Sequence, residues 1–202
     1  MERYDKKLDK GALMELILDA ADARFRLYGF KKTAMAEIAE DVGMSTANLY
    51  RYFPSKIDIA ESFALRCFEE KEKALALIVN KLDASPEEKL QGFAFELLHY
   101  NYQQLQKYPT INDIIATLCA KKLALVQRKR DGEAALLADI LRDGVNQASW
   151  QCADIEQASK TILATWVLFS TPTFMQTFDE IELEGLLANV IDLLLNGLKE
   201  RN

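Results

Sequence analysis

In residues 33–53, "TAMAEIAEDVGMSTANLYRYF", one glycine separates two apolar patterns of helical period, and few local folds satisfy that arrangement. Met35, Ile38, Ala39 and Val42 stand at i, i+3, i+4 and i+7, which gathers them on one face of a helix. Thr33 is placed to cap that helix at its start, and Gly43 can take the positive φ that ends it. Ser45 then caps the next helix, whose Leu49 and Phe53 fall four apart and face inward. Two short helices joined by a tight glycine turn form a helix-turn-helix.

With Leu49 and Phe53 inward, at about 100° per residue, Ala47, Asn48 and Arg51 point outward, Tyr50 lies on one flank and Thr46 sits at the leading end. Side chains in these places meet base edges and phosphates when the second helix of such a motif enters the major groove. An earlier helix is expected over 11–28, with Leu13, Leu16, Ile17, Ala20, Ala21 and Phe25 at helical spacing and Gly29 as its stop. Pro54 ends the third helix and Ser55 caps a fourth. Lys56 lies in its first turn, where a cation opposes the helix dipole unless an anion such as a phosphate is near.

Charge is distributed unevenly. The 202-residue chain carries a net charge of −6, yet its first 60 residues hold ten basic and ten acidic side chains, so the whole excess lies in the remainder. A DNA-facing head on an acidic body is compatible with that balance. Half of the residues are hydrophobic, and only eight are glycine and four proline, which favours an all-α fold with a substantial core. Cys67, Cys119 and Cys152 are odd in number and widely spaced, so neither a disulfide framework nor a zinc site is indicated. The start, "MERYDKKLDKG", has no apolar leader, and a cytoplasmic location is expected. The uncharged stretch 161–178 contains eight Ser, Thr, Gln or Pro residues, which favours a buried or interface helix over a membrane span. His99 is the single histidine, there is no Gly-rich phosphate loop or metal-ligand cluster, and the chain is not expected to be an enzyme or to need a cofactor.

The stretch "ILDAADARFRLYGFKKTAMAEIAEDVGMSTANLYRYFPSKIDI" resembles the DNA-binding domain of the tetracycline-repressor (TetR) family of bacterial transcriptional regulators. The resemblance rests on Ile17, Ala20, Ala21, Phe25, Gly29, Thr33, Ile38, Ala39, Gly43, Ser45, Leu49, Tyr50, Tyr52, Phe53, Ser55 and Lys56. It implies a three-helix DNA-binding head over 1–57 and a ligand-binding and dimerising helical body over 58–202. It also implies that Tyr50 and Lys56 hold phosphates and that Thr46, Ala47, Asn48 and Tyr52 line the groove, with Thr33, Ser45 and Arg51 completing the DNA-facing set. Ala34 and Ala36 stand where many members carry a hydroxyl and an arginine, which removes two DNA contacts.

For the body, helices are expected over 56–82, 86–106, a short segment to 118, then to 147, over 155–178 and over 181–199, making about nine in the chain. "QRKRDGE", 127–133, is most simply a solvated charged turn or face. Leu183, Leu186, Leu187, Val190, Leu194 and Leu198 make a stripe suited to a homodimer through the last two helices, with packing inside one subunit as the alternative. Cys67, Phe93, Leu97, His99, Tyr100 and Trp166 are the candidate lining of a site for a small apolar or aromatic ligand, His99 being otherwise a hydrogen-bonded core residue. The function expected is a dimeric repressor released from a pseudo-palindromic operator by that ligand. The alternative is a helical adaptor that keeps the fold without inducible DNA binding.

Overall fold

The computed structural model describes residues 9–108 and 110–198, all helix and connecting turn. The helices are α1 Lys10–Tyr28, α2 Met35–Val42, α3 Thr46–Tyr52, α4 Lys56–Val79, α5 Pro86–Lys107, α6 Ile111–Lys121, α7 Leu123–Asn146, α8 Ile155–Thr165, α9 Val167–Ser170, α10 Pro172–Met175 and α11 Glu180–Leu198. Residues 1–8 of the expected head, and Pro109, residues 199–202 and the side chain of Leu198 of the expected body, lie outside the described residues. No helix among the described residues is long and apolar enough to cross a membrane.

Eleven helices replace the expected nine because the single helix foreseen over 155–178 is broken twice. Trp166 leaves helical geometry at φ −92°, ψ 11°, with its N–H shared between the carbonyls of Ile162 and Leu163. Pro172 makes the second break: it lacks an N–H and pushes Thr171 to an extended φ −132°, ψ 109°. "QRKRDGE" lies within continuous α7 as a charged face, exposed at Arg128 and Arg130, but its Glu133 is buried rather than solvated.

Two compact units form, and neither is one continuous segment. Among the described residues, the first comprises those up to Cys67 together with Gln106–Val126; the second comprises Phe68–Leu105 and those from Gln127 onward. In the first, a run of edge-to-face rings joins Phe30 to Phe25 (5.4 Å), Phe25 to Phe63 (6.3 Å) and Phe63 to Tyr108 (5.5 Å). Each such pair contributes about 0.5–1.5 kcal/mol beyond its burial. The Tyr108 hydroxyl donates to Asp22 on α1, and Lys122 reaches Asp58 (2.9 Å) and Glu61 (2.5 Å) on α4. The segment that carries α6 is thereby tied to α1 and α4 within the first unit. Lys122 holds the Asp58 carboxyl below its usual range, with help from Ser55.

The second unit is built on α5, whose Leu90, Phe93, Ala94, Leu97 and Leu98 are buried against Leu75, Leu137, Ile140, Leu141, Trp166, Leu187 and Ile191. Trp150 closes the end of α7 by folding back so that its N–H and that of Ser149 donate to the Gly144 carbonyl. A β-carbon at Gly144 would meet three Trp150 ring atoms at 2.1–2.7 Å. Gly144→Ala is therefore expected to destabilise the chain by about 1–3 kcal/mol despite alanine's better helix propensity. A denaturant midpoint at or above that of the parent would contradict this packing.

Candidate nucleic-acid interface

The glycine turn between α2 and α3 forms as its chemistry requires. Gly43 takes φ 73°, ψ 29°, and its N–H reaches the carbonyls of Ala39 and Glu40. Ser45 Oγ accepts the Asn48 N–H at 3.2 Å, so its hydroxyl is committed to the cap of α3. Leu49 and Phe53 are buried beneath the helix. What remains on the outer side is Ala47, Tyr50 (49% exposed) and Arg51, with Thr46, Asn48 and Tyr52 half-buried beside them. Arg24 staples the motif to α1 through Asp41 (2.5 and 2.8 Å) and Glu37 (3.3 Å). The Arg24 hydrogen bond holds the Asp41 carboxyl below its usual range.

Thr33 is placed differently from the expectation. The N-cap of α2 is Ala34, whose N–H is accepted by Glu37 Oε2 at 2.7 Å; having no side-chain acceptor, Ala34 supplies only half of a capping box. Thr33 is buried and its hydroxyl donates back to the Gly29 carbonyl at 2.9 Å, so it shapes the α1–α2 turn and does not reach the outer face. Position 33 falls one residue short of the cap because that back-bond to the carbonyl four residues earlier wins the hydroxyl.

Lys56 also turns inward. Its ammonium donates to the carbonyls of Phe30 (2.6 Å), Thr33 (2.6 Å) and Lys31 (3.3 Å) and sits 4.6 Å from the centre of the Phe30 ring. Burial pushes its pKa down, and Glu37 opposes that shift. An ammonium has three donors, and all three are used here. Lys56 therefore gathers the orphan carbonyls between α1 and α2 and leaves a positive charge close behind the exposed Lys31 and Lys32.

Of the six candidate lining residues, Phe93, Leu97 and Trp166 share one buried core, and the other three are placed separately. Cys67 belongs to the first unit and the other five to the second. Phe93, Leu97 and Trp166 lie in the core, with the Phe93 and Trp166 rings 6.4 Å apart. Tyr100 stands under the Lys71 ammonium at 5.8 Å. His99 points elsewhere, with Nε2 2.6 Å from Glu184 Oε1 on α11, because six residues along a helix turn it some 240° from Phe93. The Trp166 indole N–H is fully buried and has no hydrogen-bond partner among the described residues.

A buried ion pair was missed in the sequence. Lys71 and Glu133 are 2% and 4% exposed and meet at 2.5 Å, with Lys129 a further 3.4 Å from the same carboxylate. The signal was present: Lys71 occupies the inward stripe Ala64, Phe68, Lys71, Leu75, and Glu133 precedes Leu137 and Ile140 on α7. A charge on an apolar stripe points to a buried partner.

The family model for bacterial regulatory proteins of the tetR family matches residues 17–63, and that for the tetracyclin repressor-like C-terminal domain matches residues 86–191. The HTH-type transcriptional repressor KstR2 of Mycobacterium tuberculosis is 24% identical over 163 residues, covering 78% of each chain. A TetR-family regulator from Mesorhizobium loti superposes with a TM-score of 0.73 at 19% identity, covering 96% of this chain and 100% of its own. The flavonoid-responsive regulator FrrA superposes with a TM-score of 0.69 at 25% identity, covering 95% and 100%.

Proposed function

Because the chain belongs to the tetR family of bacterial transcriptional regulators, we propose that it represses transcription as a homodimer on a pseudo-palindromic operator and is released by a small, largely apolar ligand. The observation that carries the DNA-binding part is the outer side of α3, where Tyr50 and Arg51 stand exposed and flanked by Thr46, Asn48 and Tyr52 while the inner side is closed by Leu49 and Phe53. In this reading the functional head ends near residue 57. Arg51 and Tyr50 meet phosphates, and Asn48 and Thr46 meet base edges. Lys56 contributes chiefly by holding the α1–α2 turn and adding positive potential.

These roles separate experimentally. Arg51→Ala is expected to weaken all sequences alike and to reduce the slope of log affinity against log salt by about one. Asn48→Ala is expected to relax preference at one operator position at a cost of about 1–3 kcal/mol. Lys56→Met is expected to lower the thermal stability of the head together with its affinity. A Lys56 variant of unchanged stability but reduced salt slope would instead place that ammonium on the DNA backbone. The test of the reading itself is a salt-dependent gel shift on genomic fragments: no shift at low salt would favour the adaptor, with exposed Ala34 and Ala36 as its reason.

For the ligand, the support is the Trp166 N–H, a fully buried donor without a partner beside the Phe93 ring. A mostly apolar molecule offering one acceptor oxygen satisfies that donor. FrrA, named for its response to flavonoids, and this chain share a fold, and a planar aromatic with carbonyl or hydroxyl oxygens fits the same requirement. Release is carried in this proposal by α4, which is one uninterrupted helix from Lys56 to Val79. A ligand that prefers the DNA-free arrangement a hundredfold supplies about 2.7 kcal/mol against operator binding, and by reciprocity operator weakens the ligand equally. Calorimetry of a candidate flavonoid with and without operator tests this, since equal affinities would refute the coupling.

A further inference from the structure

The side of α11 that faces the core carries Leu187, Ile191 and Leu195, all buried. Continued toward the helix start, the same line reaches Glu184 and Glu180 at steps of three and four residues. The two carboxylates lie one turn apart and half-buried at the edge of that line. Opposite them on α5 stands His99, the single histidine of the chain, its Nε2 2.6 Å from Glu184 Oε1. One donor atom from each of His99, Glu180 and Glu184 lies within 4.8 Å of both others, and all three residues are half-buried.

We propose that His99, Glu180 and Glu184 form a binding site for a first-row divalent transition-metal ion, with water completing the coordination. An imidazole nitrogen with two carboxylate oxygens suits zinc and its neighbours, whereas magnesium and calcium prefer all-oxygen shells. Tetrahedral coordination at bond lengths near 2.0–2.2 Å separates ligand atoms by roughly 3.3–3.5 Å. The Nε2–Oε1 pair therefore opens by less than about 1 Å, within reach of a side-chain adjustment, while both backbones remain on regular helices. Side chains 36% (His99) and 42% (Glu184) exposed leave an entry path and room for water. The ion would pin the first turn of α11 to the middle of α5. This site does not depend on DNA or organic-ligand binding.

The sequence alone could not show it. A Glu-x-x-x-Glu pair on a helix is common, and the third donor comes from a helix much earlier in the chain.

The test is a zinc titration of the full chain, stripped with a chelator, by calorimetry against a competing chelator. The parent is expected to bind one ion per chain, and His99→Gln to weaken binding at least a hundredfold. Glu180→Gln is the discriminating variant, because Glu180 takes no part in the His99–Glu184 hydrogen bond; at least a tenfold loss is expected. Glu184→His exchanges one ligand for another and should retain binding. Cys119 is an exposed thiol, so Cys119→Ser should bind as the parent does, and the cobalt spectrum should lack a thiolate charge-transfer band. A zinc-induced rise in melting temperature, present in the parent and absent in His99→Gln, gives a second readout. No binding by the parent, parent-like binding by His99→Gln or Glu180→Gln, or loss of the site in Cys119→Ser would each overturn the proposal.

Discussion

Glu133→Ala is expected to destabilise the chain by about 3–5 kcal/mol, a large share of the stability of a domain of this size, because it leaves the Lys71 ammonium buried without a counter-ion. The surroundings offer little substitute. The rings of Phe68 and Tyr100 lie 5.6 and 5.8 Å from the ammonium, and the nearby Lys129 repels it. Burial and that repulsion push the Lys71 pKa down to about 8, against the opposing pull of Glu133. Burial acts to raise the Glu133 carboxyl, but the two ammonium groups outweigh it and hold it below its usual range. At 2.5 Å the contact is a close ion pair.

Such a pair is weak evidence for net stability, since its desolvation cost is comparable to its attraction. The double variant Lys71→Met, Glu133→Leu is accordingly expected to equal or exceed the parent, and the contrast with Glu133→Ala is the measurement to make by urea unfolding. The pH dependence has a definite sign. Between about pH 8 and the ordinary lysine value of 10.5, the unfolded chain holds a proton on Lys71 that the folded chain has released. This group's contribution to stability therefore rises with pH across that window. Glu133 acts in the opposite region: its contribution is lost as pH falls through its depressed folded value. Parallel stability profiles for the parent and the double variant through both regions would show that the pair does not titrate as described.

Placing glutamates at Leu186 and Leu193 is expected to convert the proposed dimer to monomers and to lower operator affinity at least a hundredfold. These two residues are 41% and 74% exposed, seven apart on one side of α11, and Ile181 on the same helix is 79% exposed. Neither residue belongs to the buried core of the single chain, so the monomer should keep its helix content and largely keep its melting behaviour. A dimer presents two copies of α3 to half-sites about 34–36 Å apart or somewhat more, and the second head binds at the effective concentration set by the first. Loss of that linkage alone is worth about 10²–10⁴ in affinity. Sedimentation of the double variant as a dimer, or unchanged operator binding by a monomer, would count against this interface.

The leucine stripe shows where sequence reasoning reached its limit. Of its six members, Leu183 and Leu187 are buried in the chain's own core, Val190 and Leu194 are half-buried, and Leu186 is exposed. Apolar spacing shows that a helix has a face to cover; it does not divide that face between the chain and a second copy. Helix existence, the glycine turn, the Ser45 cap and the outward placement of Ala47 and Arg51 were legible, because each depends on residues within one or two turns of one another; Asn48, expected outward, is half-buried, and Tyr50, expected on the flank, is exposed. The break at Pro172 also had a local signal in the proline itself, whereas the uncharged stretch through Trp166 reads as continuous helix.

What only the tertiary structure decided was the partner of each polar group. Lys56 could meet a phosphate or a carbonyl, and the position of the α1–α2 turn gives it three carbonyls. Thr33 could cap α2 or bond backward, and Gly29 lies within reach. His99 could line a core or meet a carboxylate, and the approach of α11 to α5 supplies Glu184. Helical periodicity is a short-range property written into neighbouring residues, so the sequence by itself determined the all-α architecture and the exposed outer side of α3. Pairings such as Lys71 with Glu133 join residues of different helices, and which donor meets which acceptor was decided by the packing of whole helices, where contact energies smaller than any single propensity signal add up across the core.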